Sequence, residues 1–494
     1  MACFAIAAAG IALVGITILR HELWRDELQA WQIARASDGF HSLVHNTRYE
    51  GHPLLWFGLL YPIAHAHAGP GAMQLLQFFI ASTTISVCVW RAPFTLIQRA
   101  LFVFGYFILY EYGVLTRSYG LGAMLLVITL SVAATRDRRR WPLIGALLGV
   151  IALTSAFGAV LAVAVLLGLA VDERLRRRHA TGTGAASGTI LVGLALTACG
   201  LAVAYLQAGR TPRDTGSYSH WRTNIDVGLG ASSMSSVWRA LVPIPSLERS
   251  YWNTNIVSAR AAVVGVLGFV LFVIVAWVLR DRPGSFVVWV GGVALVVGFL
   301  YARIGTATAS RHIGHVFLCL VAAMWLANTV EERKRPGAPR RTTARVRSGV
   351  WTVLLVVQLI AGIFAAGLDL AYPFSNGRDV ARYIQTHRLE NLEIIGFPDT
   401  AASTVAGYLD RPIYYLSGSR SGRFVVWSTA RNRVQPFESV IRTRPPFEGP
   451  RVLVLTNRPV VDANLRLRLL THFDNGIVPD EHYWLYVGTA LTSP

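Results

Sequence analysis

The amino-acid sequence predicts a polytopic all-α membrane bundle that is followed by a small soluble α/β domain. Of its 494 residues, 53% are hydrophobic and only 15% are charged, whereas soluble domains carry about 25% charged residues. The hydrophobic residues fall in blocks that suit helices crossing about 30 Å of hydrocarbon. After residue 370 the chain becomes polar. These observations predict a transmembrane domain over residues 1–370 and a soluble domain over residues 371–494, and they exclude a soluble enzyme.

The transmembrane domain contains about twelve apolar blocks, from which we expect about 11–13 membrane helices. The blocks lie at roughly 2–19, 52–67, 71–90, 94–112, 117–135, 141–154, 156–171, 186–206, 258–280, 285–303, 311–329 and 349–370. The first block has no basic leader and no cleavage pattern before Arg20, so we expect a retained helix rather than a signal peptide. Two long polar loops separate blocks, at 20–51 and 207–257.

The basic residues predict how the bundle lies in the membrane. The formal net charge is +19, and many basic residues form short runs at 136–140, 174–179 and 333–347. Such runs are typical of cytoplasmic loops, so they indicate topology rather than a nucleic-acid partner. We therefore expect a multi-pass protein of the bacterial plasma membrane, with both long loops and the C-terminal domain outside the cytoplasm.

This topology requires an odd number of crossings between residues 52 and 90, where hydropathy shows two blocks. Either one of these blocks is re-entrant or broken, or residues 141–171 form a single long crossing. The second alternative places the 136–140 arginine run outside, against the charge rule. The sequence therefore favours the first alternative.

The C-terminal domain alternates between two kinds of segment. The strand-like runs are LEIIGF, PIYYL, RFVVWS and RVLVLT, and the helix-like runs are RDVARYIQTH, TAASTVAGYL and VDANLRLRLLTHF. This alternation predicts a small α/β domain. It contains neither GxGxxG nor GxxxxGK[ST], so no nucleotide site is expected. All four cysteines lie in apolar blocks, which predicts no disulfide framework.

The first loop carries ionisable residues at both of its ends. Asp26 and Glu27 follow the first helix, where a carboxylate can act as a general base on a hydroxyl group or hold a divalent cation. The alternative is that both only begin a surface helix. Glu50 and His52 stand at the membrane boundary, where ionisable residues usually line a cavity or serve a function. The alternative there is a helix start with Pro53 in the first turn.

Two later segments place basic residues at the mouths of predicted helices. EYGVLTRSYGLGAMLL contains Arg117 and Tyr119, and ASRHIGHVFLCLVAAMW contains Arg311 and His312. Either arginine alone is explained by snorkelling at a helix end. Two arginines at separate external helix mouths, together with the acidic loop, instead favour one shared site.

The second long loop is rich in aromatic residues. Aromatic faces bind sugar rings, but Trp and Tyr also collect at bilayer interfaces, and for most of these residues we prefer interface anchoring. The candidates for acceptor or sugar contact are Tyr218, His220 and Trp221, and the other aromatic residues are Trp238, Tyr251 and Trp252.

These segments together resemble the GT-C glycosyltransferases, in particular the protein O-mannosyltransferase and lipid A aminoarabinose transferase group. The resemblance rests on the acidic pair, on the Tyr/Glu/His-Pro element that opens the next helix, and on the Arg-x-Tyr element. It covers the first 135 residues best. The chain departs from the group at His52 and Pro53, where relatives often have Lys-Pro or Pro-Pro.

The resemblance implies transfer of a sugar from a polyprenyl-phosphate carrier to an extracytoplasmic hydroxyl on a protein, lipid or glycan, with inversion at the anomeric carbon. It implies that Asp26 is the general base, assisted by Glu27 or Glu50. A divalent metal ion is the cofactor known in some relatives, and Asp26, Glu50 and His52 would hold it. The implied ligands of the lipid phosphate are His52, Arg117, Tyr119, Arg311 and His312.

Two other classes of protein fit a many-helix membrane chain. A transporter or flippase of lipid-linked glycans predicts ionisable residues in the middle of helices and paired broken helices, and the sequence shows neither. A non-catalytic envelope assembly protein needs fewer membrane segments than this chain has. Both alternatives are therefore less favoured than the enzyme.

Overall fold

The structure is a computed structural model. It describes residues 1–66, 68–135, 137–178, 186–209, 211–212, 214–215, 224–257, 260–304, 309–331, 341–431, 437–442, 451–461, 465 and 467–489. Within these residues, eight helices are long and apolar enough to cross a membrane. This confirms the predicted fold class and indicates a multi-pass membrane protein.

Fifteen α-helices precede the C-terminal domain in the described part of the chain. They are α1 (Ala2–Arg20), α2 (Arg25–Arg35), α3 (Phe40–Asn46), α4 (Leu55–His65), α5 (Gly71–Arg91), α6 (Leu96–Val103), α7 (Ser118–Ala134), α8 (Trp141–Ala152), α9 (Ala156–Arg178), α10 (Ala186–Ala208), α11 (Val227–Leu241), α12 (Ala261–Leu279), α13 (Pro283–Phe299), α14 (Ser310–Glu331) and α15 (Arg341–Ala371). The π-helical segments Tyr106–Glu111 and Leu300–Ile304 follow α6 and α13.

One end of the bundle gathers the ends of α1 and α15 and the start of α5. Nδ1 of His21, just after α1, lies 2.8 Å from Oδ2 of Asp369, near the end of α15. The side chain of Gln74, in the first turn of α5, donates to the backbone oxygen of His21 at 3.1 Å. Because α1 ends and α5 begins at this end, the chain between them, including the 11-residue α4, makes no net crossing. The structure therefore agrees with the favoured alternative for residues 52–90.

The basic runs lie at the opposite end. Beyond the end of α7, Nε of Arg138 lies 2.7 Å from a carboxylate oxygen of Glu173, near the end of α9. In the first turns of α15, Arg347 pairs with Asp281 at 3.1 Å, and α15 then runs back to the first end. Residues of all three basic runs are thus gathered at one end, as the predicted topology requires.

Glycines bring α8 and α10 into close contact. A Cβ atom added to Gly145 would lie 2.0 Å from the backbone oxygen of Gly193, and one added to Gly200 would lie 2.3 Å from Cα of Gly149. Small residues at such contacts allow membrane helices to approach closely.

The C-terminal domain is a six-stranded sheet with helices, which confirms the α/β prediction. Its strand order is β3-β2-β1-β4-β6-β5, with β1 parallel to β2 and β4, and the other neighbours antiparallel. The strands are β1 (Glu393–Phe397), β2 (Ile413–Tyr415), β3 (Arg420–Gly422), β4 (Arg451–Thr456), β5 (Leu467–Phe473) and β6 (Tyr483–Thr489). The helices are α16 (Gly377–Thr386), α17 (Asp399–Leu409) and α18 (Phe437–Arg442).

Two segment predictions in this domain are wrong. VDANLRLRLLTHF was expected to be helical, but its second half is the edge strand β5, paired with β6. Leucine alternates with arginine from residue 465 to residue 469, which is the two-residue period of a strand. RFVVWS is predicted to be a strand, yet it joins none of the six strands of the sheet. The backbone of Val425 bonds to the side chain of Gln29, and Ser428 forms only an isolated bridge with Thr215.

Candidate active site at the first loop

The acidic pair lies at the start of α2, as the alternative interpretation of these two residues predicts. Asp26 and Glu27 occupy the first turn, and a carboxylate oxygen of Glu27 accepts a hydrogen bond from the backbone N–H of Trp24 at 3.2 Å. Such a contact satisfies an N–H group that a helix start leaves unpaired. The helix is not on the surface, however, because eight of its eleven residues are buried.

Asp26 lies at the centre of a group of arginines. Its Oδ2 accepts a hydrogen bond from Arg117, which caps α7, and lies 3.2 Å from a guanidinium nitrogen of Arg311, in the first turn of α14. Nε of Arg25 is 3.6 Å from Oδ1. Burial alone would raise the pKa of Asp26, but Arg117, Arg311 and Arg25 outweigh it and hold that pKa well below its usual range. The structure thus brings together Asp26, Arg117 and Arg311, three of the residues that the sequence placed in one site, and adds Arg25, which the sequence did not single out.

Polar nitrogen atoms without partners surround this ion cluster. Nδ1 of His52, Nδ1 of His312 and Nε of Arg311 are buried, and none has a hydrogen-bond partner among the described residues. The ring of Tyr119 stands edge-on to His52 and His312 at 6.3 and 6.0 Å, and the Arg117 guanidinium lies 5.3 Å from its centre. Burial and the neighbouring arginines lower the pKa of His52 to about 4, so its imidazole is neutral at pH 7.

Glu27 is fully buried and joins several elements. One carboxylate oxygen lies 3.0 Å from Nε2 of His21, and the other accepts the backbone N–H of Thr116 at 2.5 Å. Burial alone would lower the pKa of His21, but Asp369 and Glu27 outweigh it and raise that pKa to about 10. Glu27 therefore fixes the backbone that precedes Arg117, which is a positioning role.

Glu50 lies where the first loop turns toward α4. The turn is made at Gly51, whose φ of +64° favours glycine. The Gln29 side chain donates to Glu50 at 2.8 Å, and the Trp427 side chain also forms a hydrogen bond with Glu50. Burial raises the pKa of Glu50 to about 7. The alternative prediction, a helix start with Pro53 in the first turn, is not met, because Pro53 precedes α4 by two residues.

The surroundings of the predicted metal ligands do not fit a divalent cation. Among the described residues, no group of three or more His, Cys, Asp or Glu side chains is placed to hold a metal ion. The oxygens of Asp26 face guanidinium groups, and Glu50 accepts hydrogen bonds from an amide and an indole. A cation next to Asp26 would be repelled by the arginines, so no step is assigned to a metal.

The second long loop is only partly described. Tyr218, His220 and Trp221, the candidates for acceptor contact, lie outside the described residues. Interface anchoring, the role preferred for most aromatic residues of this loop, is wrong for Tyr251, which is buried in the bundle and donates to the backbone oxygen of Ala365.

Glu111, which is not among the residues predicted for the site, is a buried carboxyl group in the π-helical segment before α7. It accepts hydrogen bonds from the Tyr106 hydroxyl at 3.0 Å and from the Trp252 indole at 3.2 Å. The Trp252 ring stands edge-on to Trp24 at 4.6 Å, and the Arg311 guanidinium lies 5.8 Å from a Trp24 ring centre. An acidic residue inside an apolar block is the signal that could have identified it.

No protein-family model and no curated protein matches this sequence. The fold does match solved structures of ArnT from Cupriavidus metallidurans. The structure bound to undecaprenyl phosphate has a TM-score of 0.53 at 12% identity, covering 98% of this chain and 97% of that chain. The apo structure has a TM-score of 0.52 at 13% identity, with the same coverage. The likeness is one of fold, and it confirms the predicted architecture of a helical membrane bundle with a C-terminal domain over nearly the whole chain.

Proposed function

We propose that this protein is a membrane glycosyltransferase, which moves a sugar from a polyprenyl-phosphate carrier to an acceptor hydroxyl. The observation that carries the proposal is the convergence of Arg25, Arg117 and Arg311 on the single carboxylate of Asp26. Positive charge is in excess within this group, and guanidinium groups are well suited to bind phosphate. The same fold holds undecaprenyl phosphate in ArnT, which supports a lipid-borne phosphate as the anion.

The phosphate of the donor binds Arg117 and Arg311 and thereby competes with Asp26 for them. The imidazoles of His52 and His312, whose Nδ1 atoms have no partner among the described residues, complete the phosphate site by hydrogen bonding. Release from the arginines restores the basicity of Asp26, because the charges that lowered its pKa are then shared with the phosphate.

Asp26 then takes the proton of the acceptor hydroxyl as that oxygen attacks the anomeric carbon. The new carbon–oxygen bond forms as the bond from the anomeric carbon to the phosphate oxygen breaks. The lipid phosphate leaves with the bonding electron pair, and the configuration at the anomeric carbon is inverted. The acceptor class stays open between a protein hydroxyl, a lipid and a glycan.

The site also agrees with activity outside the cytoplasm of a bacterium. The described residues of the three basic runs lie at the end of the bundle opposite to the site, and basic loops usually remain cytoplasmic. This supports a position of Asp26 and the C-terminal domain on the outer side of the plasma membrane.

Replacing Asp26 by Asn tests the role of the central carboxylate. Asp26→Asn removes the general base, so we expect sugar transfer to fall by about 10²–10⁴-fold. Undecaprenyl phosphate should bind the variant at least as tightly as the parent protein, because the arginines are no longer neutralised. Transfer is measured in membranes with labelled polyprenyl-phosphate sugars, and binding is measured on purified protein. Undiminished transfer would remove Asp26 from the mechanism.

Replacing an arginine tests the phosphate site itself. Arg117→Met removes a charge-assisted hydrogen bond worth about 1.5–3 kcal/mol, so undecaprenyl phosphate should bind roughly 10- to 100-fold more weakly. The matched control is Arg35→Met on α2, since Arg35 pairs with the half-exposed Asp410 away from the cluster. Equal binding by both variants would refute the proposed phosphate site.

A further inference from the structure

Gln29 joins the first loop to the C-terminal domain beside the arginine cluster. It lies on α2 three residues after Asp26, and its side chain is buried. Its Nε2 donates to Oε1 of Glu50 at 2.8 Å and to the backbone oxygen of Val425 at 2.7 Å. Its Oε1 accepts the N–H of Val425 at 3.0 Å. One amide group therefore binds the C-terminal domain with both of its atoms and still holds Glu50.

The C-terminal domain reaches Glu50 a second time through Trp427, which forms a side-chain hydrogen bond with it. The guanidinium of Arg431 lies 4.7 Å from the Trp427 ring centre. Arg431 is fixed by two hydrogen bonds of 2.5 Å to Asp399, at the start of α17. Trp427 is thus backed by a buried ion pair, while its own side chain stays only half-buried.

The second long loop contacts both the C-terminal domain and the first loop close to Glu50. The backbone N–H of Thr429 donates to the backbone oxygen of Asp214 at 2.6 Å, and the Tyr49 hydroxyl donates to the Asp214 carboxylate at 2.9 Å. Three segments outside the bundle therefore converge next to Glu50. Gln29 follows Asp26 by about one helical turn on α2, so its 2.8 Å bond to Glu50 places Glu50 beside the cluster.

From this convergence we infer that residues 424–431 of the C-terminal domain form the acceptor side of the site, and that Gln29 is the positioning residue that holds Glu50 there. The donor phosphate requires cations, which the arginine cluster supplies. The acceptor hydroxyl requires a hydrogen-bond acceptor, and a sugar or lipid acceptor also needs an apolar face. Glu50 and Trp427 supply both next to Asp26. This inference rests on the proposed function.

The first test compares two glutamines of α2. Gln29→Met should lower the turnover of sugar transfer to the native acceptor in membranes about tenfold or more, because Glu50 loses the hydrogen bond that positions it. The KM for the lipid-linked donor and the binding of undecaprenyl phosphate should stay within about twofold, since the arginines are untouched. Gln32→Met is the matched control, because buried Gln32 donates to the Ser403 backbone oxygen of the same domain at 2.9 Å.

Gln32→Met should leave turnover unchanged. Equal losses in both variants would overturn the inference, because they would show a general loosening of the domain. A fall in undecaprenyl phosphate binding in Gln29→Met would overturn it as well.

The second test is a double-variant cycle, which stays decisive if Gln29→Met is less stable. If Gln29 acts through Glu50, the variant Gln29→Met/Glu50→Gln should transfer sugar no more slowly than Glu50→Gln alone. Multiplied losses would overturn the inference. Failure of the proposed function has a different result, namely no Arg117-dependent binding of undecaprenyl phosphate to any of these proteins.

Discussion

His21 connects the first loop to α15 through two buried ion pairs. It lies between Asp369 and Glu27, at 2.8 and 3.0 Å, and none of the three side chains is exposed to solvent. Removing one partner of a buried ion pair typically costs about 3–5 kcal/mol, because the other charges are left without compensation. His21 thus stabilises the loop that carries Asp26 without contacting the site directly.

The stability of the protein should therefore depend on pH. The pKa of His21 is raised from 6.5 to about 10, so its contribution is complete below pH 6.5 and is lost as the pH rises through 10. We expect the thermal midpoint of the purified protein to fall between pH 7.5 and pH 10. His21→Gln should have a lower midpoint at pH 7.5 and a smaller fall across this range. Parallel curves for both proteins would contradict the assignment.

At the same scale, the sequence predicted the convergence of Asp26 with Arg117 and Arg311 but not the role of Gln29. Charges at helix ends in an apolar chain are conspicuous because they are costly to place there. Gln29 is a neutral amide, and its partner is a backbone group 396 residues away in the chain. No local pattern marks such a contact.

Among the elements, α8 and α10 depend on glycines for their contact. A Cβ atom at Gly200 would collide with the backbone of Gly149 at 2.3 Å, whereas one at Gly188, on the same helix, would meet nothing within 4 Å. Overpacking of this kind typically costs about 1–3 kcal/mol.

Gly200→Leu should therefore lower the thermal midpoint of the purified protein, and Gly188→Leu should leave it nearly unchanged. Circular dichroism during heating measures both. A stable Gly200→Leu protein would show that the two helices can separate without loss.

At the scale of the elements, length and hydropathy predict the long membrane helices better than they predict the short segments. Eight helices in the described part of the chain have the length and hydropathy of a membrane span, as their apolar blocks predicted. The block at 52–67 instead forms the short helix α4, in a stretch that makes no net crossing. Composition does not determine the secondary structure of the short segments of the C-terminal domain, since tertiary contacts decide between a strand and an irregular segment. RFVVWS has the composition of a strand, but its backbone forms hydrogen bonds with the Gln29 side chain, and the next residue, Thr429, bonds to the second long loop.

For the whole molecule, the two ends of the bundle differ in chemistry. The site and the C-terminal domain occupy one end, and the arginine-rich loops occupy the other. The charge rule predicted this arrangement, because all basic runs follow helices that lead away from the site.

Single cysteines in a cysteine-free background test the orientation. An impermeant thiol reagent added to intact cells should label Ser421→Cys, on the exposed part of β3, but not Arg139→Cys, which is exposed at the arginine-rich end. Both should react after the cells are broken. Labelling of Arg139→Cys alone in intact cells would reverse the orientation.

The contacts between the first loop and the C-terminal domain limit how such proteins can exchange segments by recombination. Gln32 on α2 donates to the backbone oxygen of Ser403 at 2.9 Å, and the Tyr408 hydroxyl donates to the backbone oxygen of Leu23, just before α2, at 3.0 Å. The first loop therefore fits its own C-terminal domain. A recombinant that received a foreign tail would lose these matched bonds while keeping its own first loop. If the C-terminal domain forms the acceptor side as inferred above, a change of acceptor preference by recombination requires residues 20–51 and 371–494 to be exchanged together, although residues 52–370 separate them in the sequence.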